Sequence, residues 1–179
     1  MLALVKTRTG KIALVLALAV VATVFIVGLL PERLRIPVRG ATTADWNHHT
    51  FWHPWGKSGV HKGIDIFARE GTPVIASCSG WVVYQGAFGD GGNVVLILGR
   101  KWRLHYYAHL KTIHVRLGGF VREDQVIGAV GTTGNAAGKP PHLHYSIVRL
   151  IPDIFQFRWD RHGIDRMYYL NPHEQLIHP

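Results

Sequence analysis

Five polar residues have types and spacings suited to metal-assisted chemistry. His61 and Asp65 are four residues apart, His142 and His144 are two apart, and His109 lies between the two pairs. Two imidazoles and one carboxylate can bind a catalytic zinc ion and leave one coordination position open for water. Two further histidines beside such an ion would suit proton transfer near neutral pH. The sequence therefore predicts one zinc ion per chain and hydrolytic chemistry.

Short strands separated by glycine-rich turns must position these residues. Apolar and β-branched runs predict six strands, over residues 74–76, 80–84, 94–98, 103–108, 125–130 and 143–148. From residue 51 to 150 no sustained 3.6-residue hydrophobic period occurs together with helix-capping signals. The pattern therefore predicts an all-β, antiparallel body. Because residues i and i+2 of a strand face the same side, His142 and His144 can face one cavity.

The N-terminal part of the chain has a different composition. Residues 12–30 carry no charge and are almost entirely apolar, after a basic arm at residues 1–11. At about 1.5 Å per residue they approach the ~30 Å of a hydrocarbon core. We therefore predict a retained transmembrane anchor, with the body exported to the extracytoplasmic or periplasmic side of the cell membrane. Cleavage as a signal peptide is the alternative, because Ala17-Leu18-Ala19 fits a small-x-small site.

The remaining boundaries follow from local composition. Pro31, Pro37 and Gly40 break regular structure, so residues 31–50 are predicted to be a flexible linker. A catalytic core over residues 51–150 and a C-terminal extension over 151–179 complete the domain. The formal net charge of +9 suits an anionic polymer or a membrane surface. No recognition motif supports nucleic-acid binding, and a single cysteine excludes an intramolecular disulfide.

The order of several short motifs resembles the lysostaphin/LytM-type zinc endopeptidases. In chain order the motifs are His61-Lys62-Gly63-Ile64-Asp65-Ile66, Gly71-Thr72-Pro73-Val74, Gly80-Trp81-Val82, Tyr107-Ala108-His109-Leu110, Gly131-Thr132-Thr133-Gly134 and Pro141-His142-Leu143-His144-Tyr145. The resemblance covers roughly residues 51–150, with a trace at Asn171-Pro172. It implies a compact antiparallel β fold with a groove above the sheet.

The resemblance also implies a role for each polar residue. His61, Asp65 and His144 would be the zinc ligands, and His109 and His142 would be the catalytic pair. The implied activity is hydrolysis of peptide bonds in the stem peptides or cross-bridges of peptidoglycan. The alternative is a non-catalytic, peptidoglycan-binding activator or scaffold of other wall hydrolases, because some family members have lost zinc ligands. The presence of all five polar residues favours the enzyme.

Two departures from the family pattern concern the surroundings of the site. The segment Phe51-Trp52-His53-Pro54-Trp55-Gly56 stands where Phe-Gly-x-Arg is common. Residues 151–166 resemble an insertion before Asn171-Pro172. We hypothesise that this insertion packs beside the groove and restricts the substrate.

Overall fold

The apolar run near the N-terminus forms one helix, α1 (Arg8–Leu29). The computed structural model describes residues 7–29, 32–56 and 59–177. It divides into two units, one ending at Pro31 and one beginning at Glu32. The predicted anchor, residues 12–30, falls on α1 except for residue 30, which lies outside the described residues. Within the described part of the chain, none of the helices meets the length and apolarity required of a membrane span, so the anchor is not supported.

The second unit is built mainly from antiparallel strands, which confirms the predicted fold class. Each of the six predicted strands is present: the strand over residues 103–108 has the predicted ends, and the other five are shifted at one or both ends. Within the described residues the strands are β1 (Pro54–Trp55), β2 (Gly59–Val60), β3 (Ile64–Phe67), β4 (Pro73–Ile75), β5 (Gly80–Ala87), β6 (Asn93–Leu98), β7 (Arg103–Ala108), β8 (Leu110–Ile113), β9 (Phe120–Val121), β10 (Val126–Val130), β11 (His142–Arg149) and β12 (Tyr169–Leu170). Two short helices, α2 (Gly163–Tyr168) and α3 (Pro172–Ile177), lie near the C-terminus.

The largest sheet has the strand order β12-β11-β7-β6-β5-β9. Strand β3 also pairs with β11, alongside the half of β11 that β12 does not cover. Strands β4, β10 and β8 form a second sheet, and β1 and β2 form a two-stranded hairpin. Strand β11 is therefore flanked by β7 on one side and by β3 and β12 on the other, which makes it the central element around the predicted site.

The two faces of β11 differ in chemistry because successive residues of a strand alternate between them. Leu143, Tyr145 and Ile147 are fully buried in the hydrophobic core. Tyr145 packs against Tyr107 of β7, with ring centroids 5.2 Å apart. The Tyr107 hydroxyl accepts a hydrogen bond from the backbone N–H of Ser77 at 2.9 Å, so its polar end is satisfied in the core. The opposite face of β11 is free to carry His142 and His144.

The segment from residue 32 to 50 is folded, which differs from the expected flexible linker. Leu34, Val38 and Trp46 are buried in the core of the second unit. The backbone runs beside β4: Pro37 O accepts from Ile75 N at 2.9 Å, and the N–H of Arg39 donates to Pro73 O at 3.0 Å. Proline is tolerated here because only its carbonyl is used. Alternating apolar residues at 34, 36 and 38 are the signal of this extended, half-buried segment.

Candidate metal centre

The pairing of β3 with β11 brings the two distant polar pairs together. Asp65 lies directly opposite His144 in the ladder, and His61 precedes β3 by three residues. Gly63 allows this approach, because a Cβ at that position would lie 2.5 Å from both Ser146 Oγ and the Tyr145 carbonyl oxygen. A larger residue would therefore push β3 away from β11. The glycine in the His61–Asp65 motif is thus required by packing.

Three ligand-type atoms converge at one point. His61 Nε2 lies 3.1 Å from Asp65 Oδ1 and 3.0 Å from His144 Nδ1. The distance between His144 Nδ1 and Asp65 Oδ1 is 2.8 Å. Ligands of a tetrahedral zinc ion, with bonds of about 2.0–2.1 Å, are roughly 3.3 Å apart. The set of two imidazoles and one carboxylate therefore fits a zinc ion in both chemistry and spacing.

Outer hydrogen bonds orient both imidazoles. His61 Nδ1 lies 3.1 Å from the carbonyl oxygen of Thr50. Since a carbonyl only accepts, Nδ1 carries the proton and Nε2 keeps its lone pair. His144 Nε2 lies 2.9 Å from Ser146 Oγ, so an Nε2–H can donate there and leave Nδ1 for a metal. Such outer partners fix the ring orientation and tautomer of metal-binding histidines.

The electrostatics of the cluster keep the carboxyl group ionised. Burial alone would raise the pKa of Asp65, but its contacts with the rings of His144 and His61 favour the ionised form more strongly and hold that pKa well below its usual range. Burial lowers the pKa of His144. For His61 burial also acts downward, but the hydrogen bond and charge of Asp65 raise its pKa overall. An ionised carboxylate is the form that a metal requires.

His109 and His142 form a second pair beside this cluster. Their rings are 5.0 Å apart between centroids, and the ring of His109 lies 6.0 Å from that of His144. His109 Nδ1 donates to the carbonyl oxygen of Thr133 at 2.9 Å. His142 Nδ1 donates to the carbonyl oxygen of Pro140 at 2.8 Å. Both rings are therefore held in the tautomer whose Nε2 has a free lone pair.

His109 has an unusual backbone conformation. Its φ of 63° places a non-glycine residue in the left-handed region, at the junction of β7 and β8. Its N–H donates to the carbonyl oxygen of Gly91 at 2.8 Å, which helps to hold the residue there. Such strain is tolerated where surrounding structure imposes it. Burial lowers the pKa of His109 to about 4, so the ring is neutral at pH 7.

All five residues line one cavity of about 420 Å³. Its walls include three aromatic side chains that sequence reasoning did not assign to the site: Trp55, Phe67 and Tyr106. Trp55 stacks on His61 with ring centroids 5.5 Å apart, and Phe67 contacts His142 at 5.4 Å. Strand parity was the available signal for Phe67, which is two residues after Asp65. Trp55 lies in the departure from the family pattern and had no such signal.

The C-terminal insertion packs beside the cavity. The carboxylate of Asp165, on α2, lies 2.9 Å from Lys62 Nζ, and Lys62 lines the cavity. His162 contacts Trp52, with ring centroids 6.5 Å apart. These contacts agree with the hypothesis that residues 151–166 pack beside the groove. Restriction of the substrate stays a prediction.

The arrangement has the features of a mononuclear metal site, because three converging ligand-type atoms face an open cavity that two further histidines line. Comparison with protein families agrees: the profile described as "Peptidase family M23" matches residues 59–153. This match includes all five polar residues. The chain belongs to peptidase family M23.

Individual relatives show the same relationship. A DD-carboxypeptidase/endopeptidase of Neisseria meningitidis serogroup B is 42% identical over 97 residues, 54% of this chain and 21% of that protein. An L-Ala–D-Glu endopeptidase of Bacillus subtilis is 36% identical over 124 residues, 64% of this chain and 37% of that protein. The matches thus span well under half of these curated relatives. A zinc-containing peptidase from Vibrio cholerae superposes with a TM-score of 0.54 at 29% identity, over 65% of this chain and 36% of that one.

Proposed function

We propose that this chain is a zinc-dependent endopeptidase that hydrolyses peptide bonds in peptidoglycan. The observation that carries the proposal is the convergence of His61 Nε2, Asp65 Oδ1 and His144 Nδ1 in a cavity that His109 and His142 also line. The Neisseria and Bacillus relatives are both peptidases, which supports the reaction type. The Vibrio relative is a zinc-containing peptidase, which supports zinc as the metal.

In this proposal His61, Asp65 and His144 hold the zinc ion. When bound, zinc polarises a carbonyl oxygen and lowers the pKa of coordinated water toward neutrality. The single carboxylate offsets one of the two positive charges, and Thr50 and Ser146 keep the imidazoles in position through the hydrogen bonds described above. The cavity beside the cluster admits the peptide.

In this proposal His109 and His142 transfer protons during hydrolysis. Water adds to the carbonyl carbon of the scissile bond, and Nε2 of His109 or His142 accepts the proton that the water loses. The resulting N–H can donate to the anionic oxygen of the tetrahedral species. Breakage of the C–N bond then requires a proton on the leaving amine, which the same N–H supplies. His109 suits the first step because it is neutral at pH 7.

Digestion of purified peptidoglycan tests the proposal. We expect zinc-loaded protein to release soluble muropeptides, a chelator to stop the release, and added zinc to restore it. Mass spectrometry of the fragments identifies the cleaved bond. Bound zinc without any fragments, under conditions in which a known wall endopeptidase digests the same sample, would favour the non-catalytic activator or scaffold.

The proposal also requires the domain to reach peptidoglycan outside the cytoplasmic membrane. A C-terminal fusion to alkaline phosphatase, which is active only after export, tests that location in cells. We expect an active fusion protein, whereas full-length but inactive fusion protein retained in the cytoplasm would contradict an extracytoplasmic site of action.

A further inference from the structure

Two lysines line the metal-site cavity, and they differ in whether their charge is neutralised. Lys62 Nζ lies 2.9 Å from a carboxylate oxygen of Asp165. Lys139, by contrast, forms no ion pair with any carboxylate of residues 7–29, 32–56 and 59–177. One of the two positive charges is thus already compensated, and the other is available to a ligand.

The loop that carries Lys139 is the loop that orients His142. The N–H of Lys139 donates to the carbonyl oxygen of Ala136 at 3.0 Å. Pro140 follows, which restricts the backbone of Lys139 to extended conformations. The carbonyl oxygen of Pro140 accepts the Nδ1 hydrogen bond of His142 at 2.8 Å. The backbone of Lys139 is therefore held at a fixed place relative to His142.

An aromatic contact holds the ammonium group of Lys139 without neutralising it. Nζ lies 5.2 Å from the centroid of the Trp55 ring, which is a cation–π distance. Trp55 in turn stacks on the metal-site residue His61, at 5.5 Å between centroids and 29° between ring planes. Lys139, Trp55 and His61 thus form a continuous series of contacts, which places the unpaired ammonium group beside the metal-site cluster.

The other carboxylates of the cavity do not compensate Lys139. Asp65 Oδ1 lies 3.1 Å from His61 Nε2 and 2.8 Å from His144 Nδ1, within the metal-site cluster. Asp90 also lines the cavity, but no ion pair joins it to Lys139. A bound zinc ion would make the surroundings of the scissile bond still more positive. A negative group on the substrate is the chemical complement of this arrangement.

We propose that Lys139 binds a carboxylate of the substrate near the scissile bond, so that the cavity selects anionic stem peptides over uncharged glycine bridges. The inference rests on the proposed function and adds its substrate class. A hydrogen bond from an ammonium to a carboxylate is about twice as strong as a neutral one, so the charge can produce a measurable preference. Lys139 is then a specificity-determining residue, contributed by the loop that precedes β11.

Three peptides of equal length test the preference with zinc-loaded, full-length protein. The first contains an L-Ala–D-Glu bond with its carboxylates free, the second is the same peptide with those groups amidated, and the third is oligoglycine. We expect kcat/KM to be about tenfold higher for the free acid than for the amide, which is a difference of about 1.4 kcal/mol. Lys139→Gln should remove this preference, with the loss appearing mainly as a higher KM for the free acid.

Matched variants separate charge from structure. Lys139→Arg retains the positive charge and should retain the preference. Lys111→Gln removes an exposed lysine that pairs with Glu70 outside the cavity, and should behave as the wild type. Circular dichroism and zinc content should be the same for all variants. Equal kcat/KM for acid and amide in the wild type, or an undiminished preference in Lys139→Gln, would overturn the inference.

A binding measurement distinguishes this inference from the proposed function. His142→Ala with bound zinc should bind the peptides without cutting them, and calorimetry should show tighter binding of the free acid. Lys139→Gln in that background should bind acid and amide equally. Failure of the wild type to cleave any peptide or peptidoglycan counts against the endopeptidase, while Lys139-dependent binding of the acid would still support the carboxylate site.

Discussion

Strands β7 and β11 together place histidines on both faces of the sheet, and the surroundings of the side chain differ between the two faces. His144 faces the cavity, where its Nδ1 lies 2.8 Å from Asp65 Oδ1 and its Nε2 lies 2.9 Å from Ser146 Oγ. His105, on β7, faces the core and is completely buried. Its Nδ1 shares a hydrogen bond of 2.7 Å with the Tyr145 hydroxyl, and its Nε2 has no hydrogen-bond partner within the described residues.

The difference shows that hydrogen-bond partners and access to the cavity determine whether a histidine can bind a metal ion. Burial lowers the pKa of His105 to about 3, and the charge of Arg103 acts in the same direction. A ring in that environment stays neutral and cannot reach a ligand. His144 also has a lowered pKa, because burial outweighs Asp65, yet one of its nitrogens points toward two other ligand atoms. Only the cavity face combines a neutral ring with a place for a metal and a substrate.

The largest expected effect follows from removing a residue of the cavity cluster. His144→Ala takes away one of three converging ligand atoms, so we expect loss of stoichiometric zinc and loss of peptidoglycan hydrolysis to background. Zinc content by mass spectrometry and release of soluble fragments measure the two effects. His105→Gln, on the core face of the same sheet, should keep its zinc. If the His144→Ala protein retained both zinc and activity, His144 would not be a zinc ligand.

The next effect separates zinc binding from proton transfer. Replacement of His142 or His109 by Ala leaves the three ligand atoms in place, so both variants should bind one zinc ion per chain. Hydrolysis should fall by about 10²–10⁴-fold, the usual contribution of general acid–base catalysis. Loss of zinc in either variant would instead assign that histidine to the metal site, and full activity would exclude it from proton transfer.

A smaller effect is expected from the outer hydrogen bond of His144. Ser146→Ala removes the hydroxyl that lies 2.9 Å from Nε2 and should weaken zinc affinity by about 10–100-fold. Competition with a zinc-sensitive chelating dye measures the change. Ser77→Ala is the control, because its hydroxyl donates to the Arg35 carbonyl at 2.7 Å, away from the cluster. Equal zinc affinity in Ser146→Ala and the wild type would show that this hydrogen bond does not support the site.

The sequence predicted the site residues better than their surroundings, and the reason is chemical. Histidine and aspartate at short spacings are visible in the sequence, and the structure brings His61, Asp65 and His144 together, while their roles stay predictions. The groups that orient the histidine rings are largely backbone carbonyls, those of Thr50, Thr133 and Pro140. A carbonyl is present at every residue, so no side-chain pattern identifies the ones that are used.

Within the described residues, strand prediction succeeded for every strand of five residues or more. The six predicted segments correspond to strands of three to eight residues. The two-residue strands, such as β1 and β9, are too short for any alternation to be visible. Strand β3 has four residues after a glycine, and its pairing with β11 spans about 80 residues of sequence. Local periodicity does not encode such a pairing.

The linker prediction for residues 31–50 shows how proline and glycine can mislead. Pro37 and Gly40 argued for an irregular segment. Leu34 and Val38 are nevertheless buried, because the segment lies along β4 through bonds that do not need a proline N–H. Alternation of apolar residues was therefore the more informative signal at this place, and the turn-forming residues only interrupted it.

The smallest expected effect concerns stability and tests the core half of the comparison. The folded pKa of His105, about 3, lies below the value of 6.5 expected when the chain unfolds. Below pH 6.5 the His105 ring therefore binds a proton in the unfolded chain but not in the folded protein. The free energy of unfolding is therefore unaffected by protonation of His105 above pH 6.5. It falls as the pH falls from 6.5 toward 3, by at most about 1.4 kcal/mol per pH unit.

His105→Gln keeps a group that can hydrogen-bond with Tyr145 but cannot titrate, so its free energy of unfolding should depend less steeply on pH over that window. Urea unfolding of the metal-free protein between pH 4 and 7 measures both slopes. His114→Gln is the matched control, because it makes the same replacement at an exposed histidine outside the core. Identical slopes for His105→Gln and the wild type would mean that His105 protonates inside the folded protein. Protons would then reach the core face as they reach the cavity face. The two faces of the sheet would differ only in the hydrogen-bond geometry around their histidines.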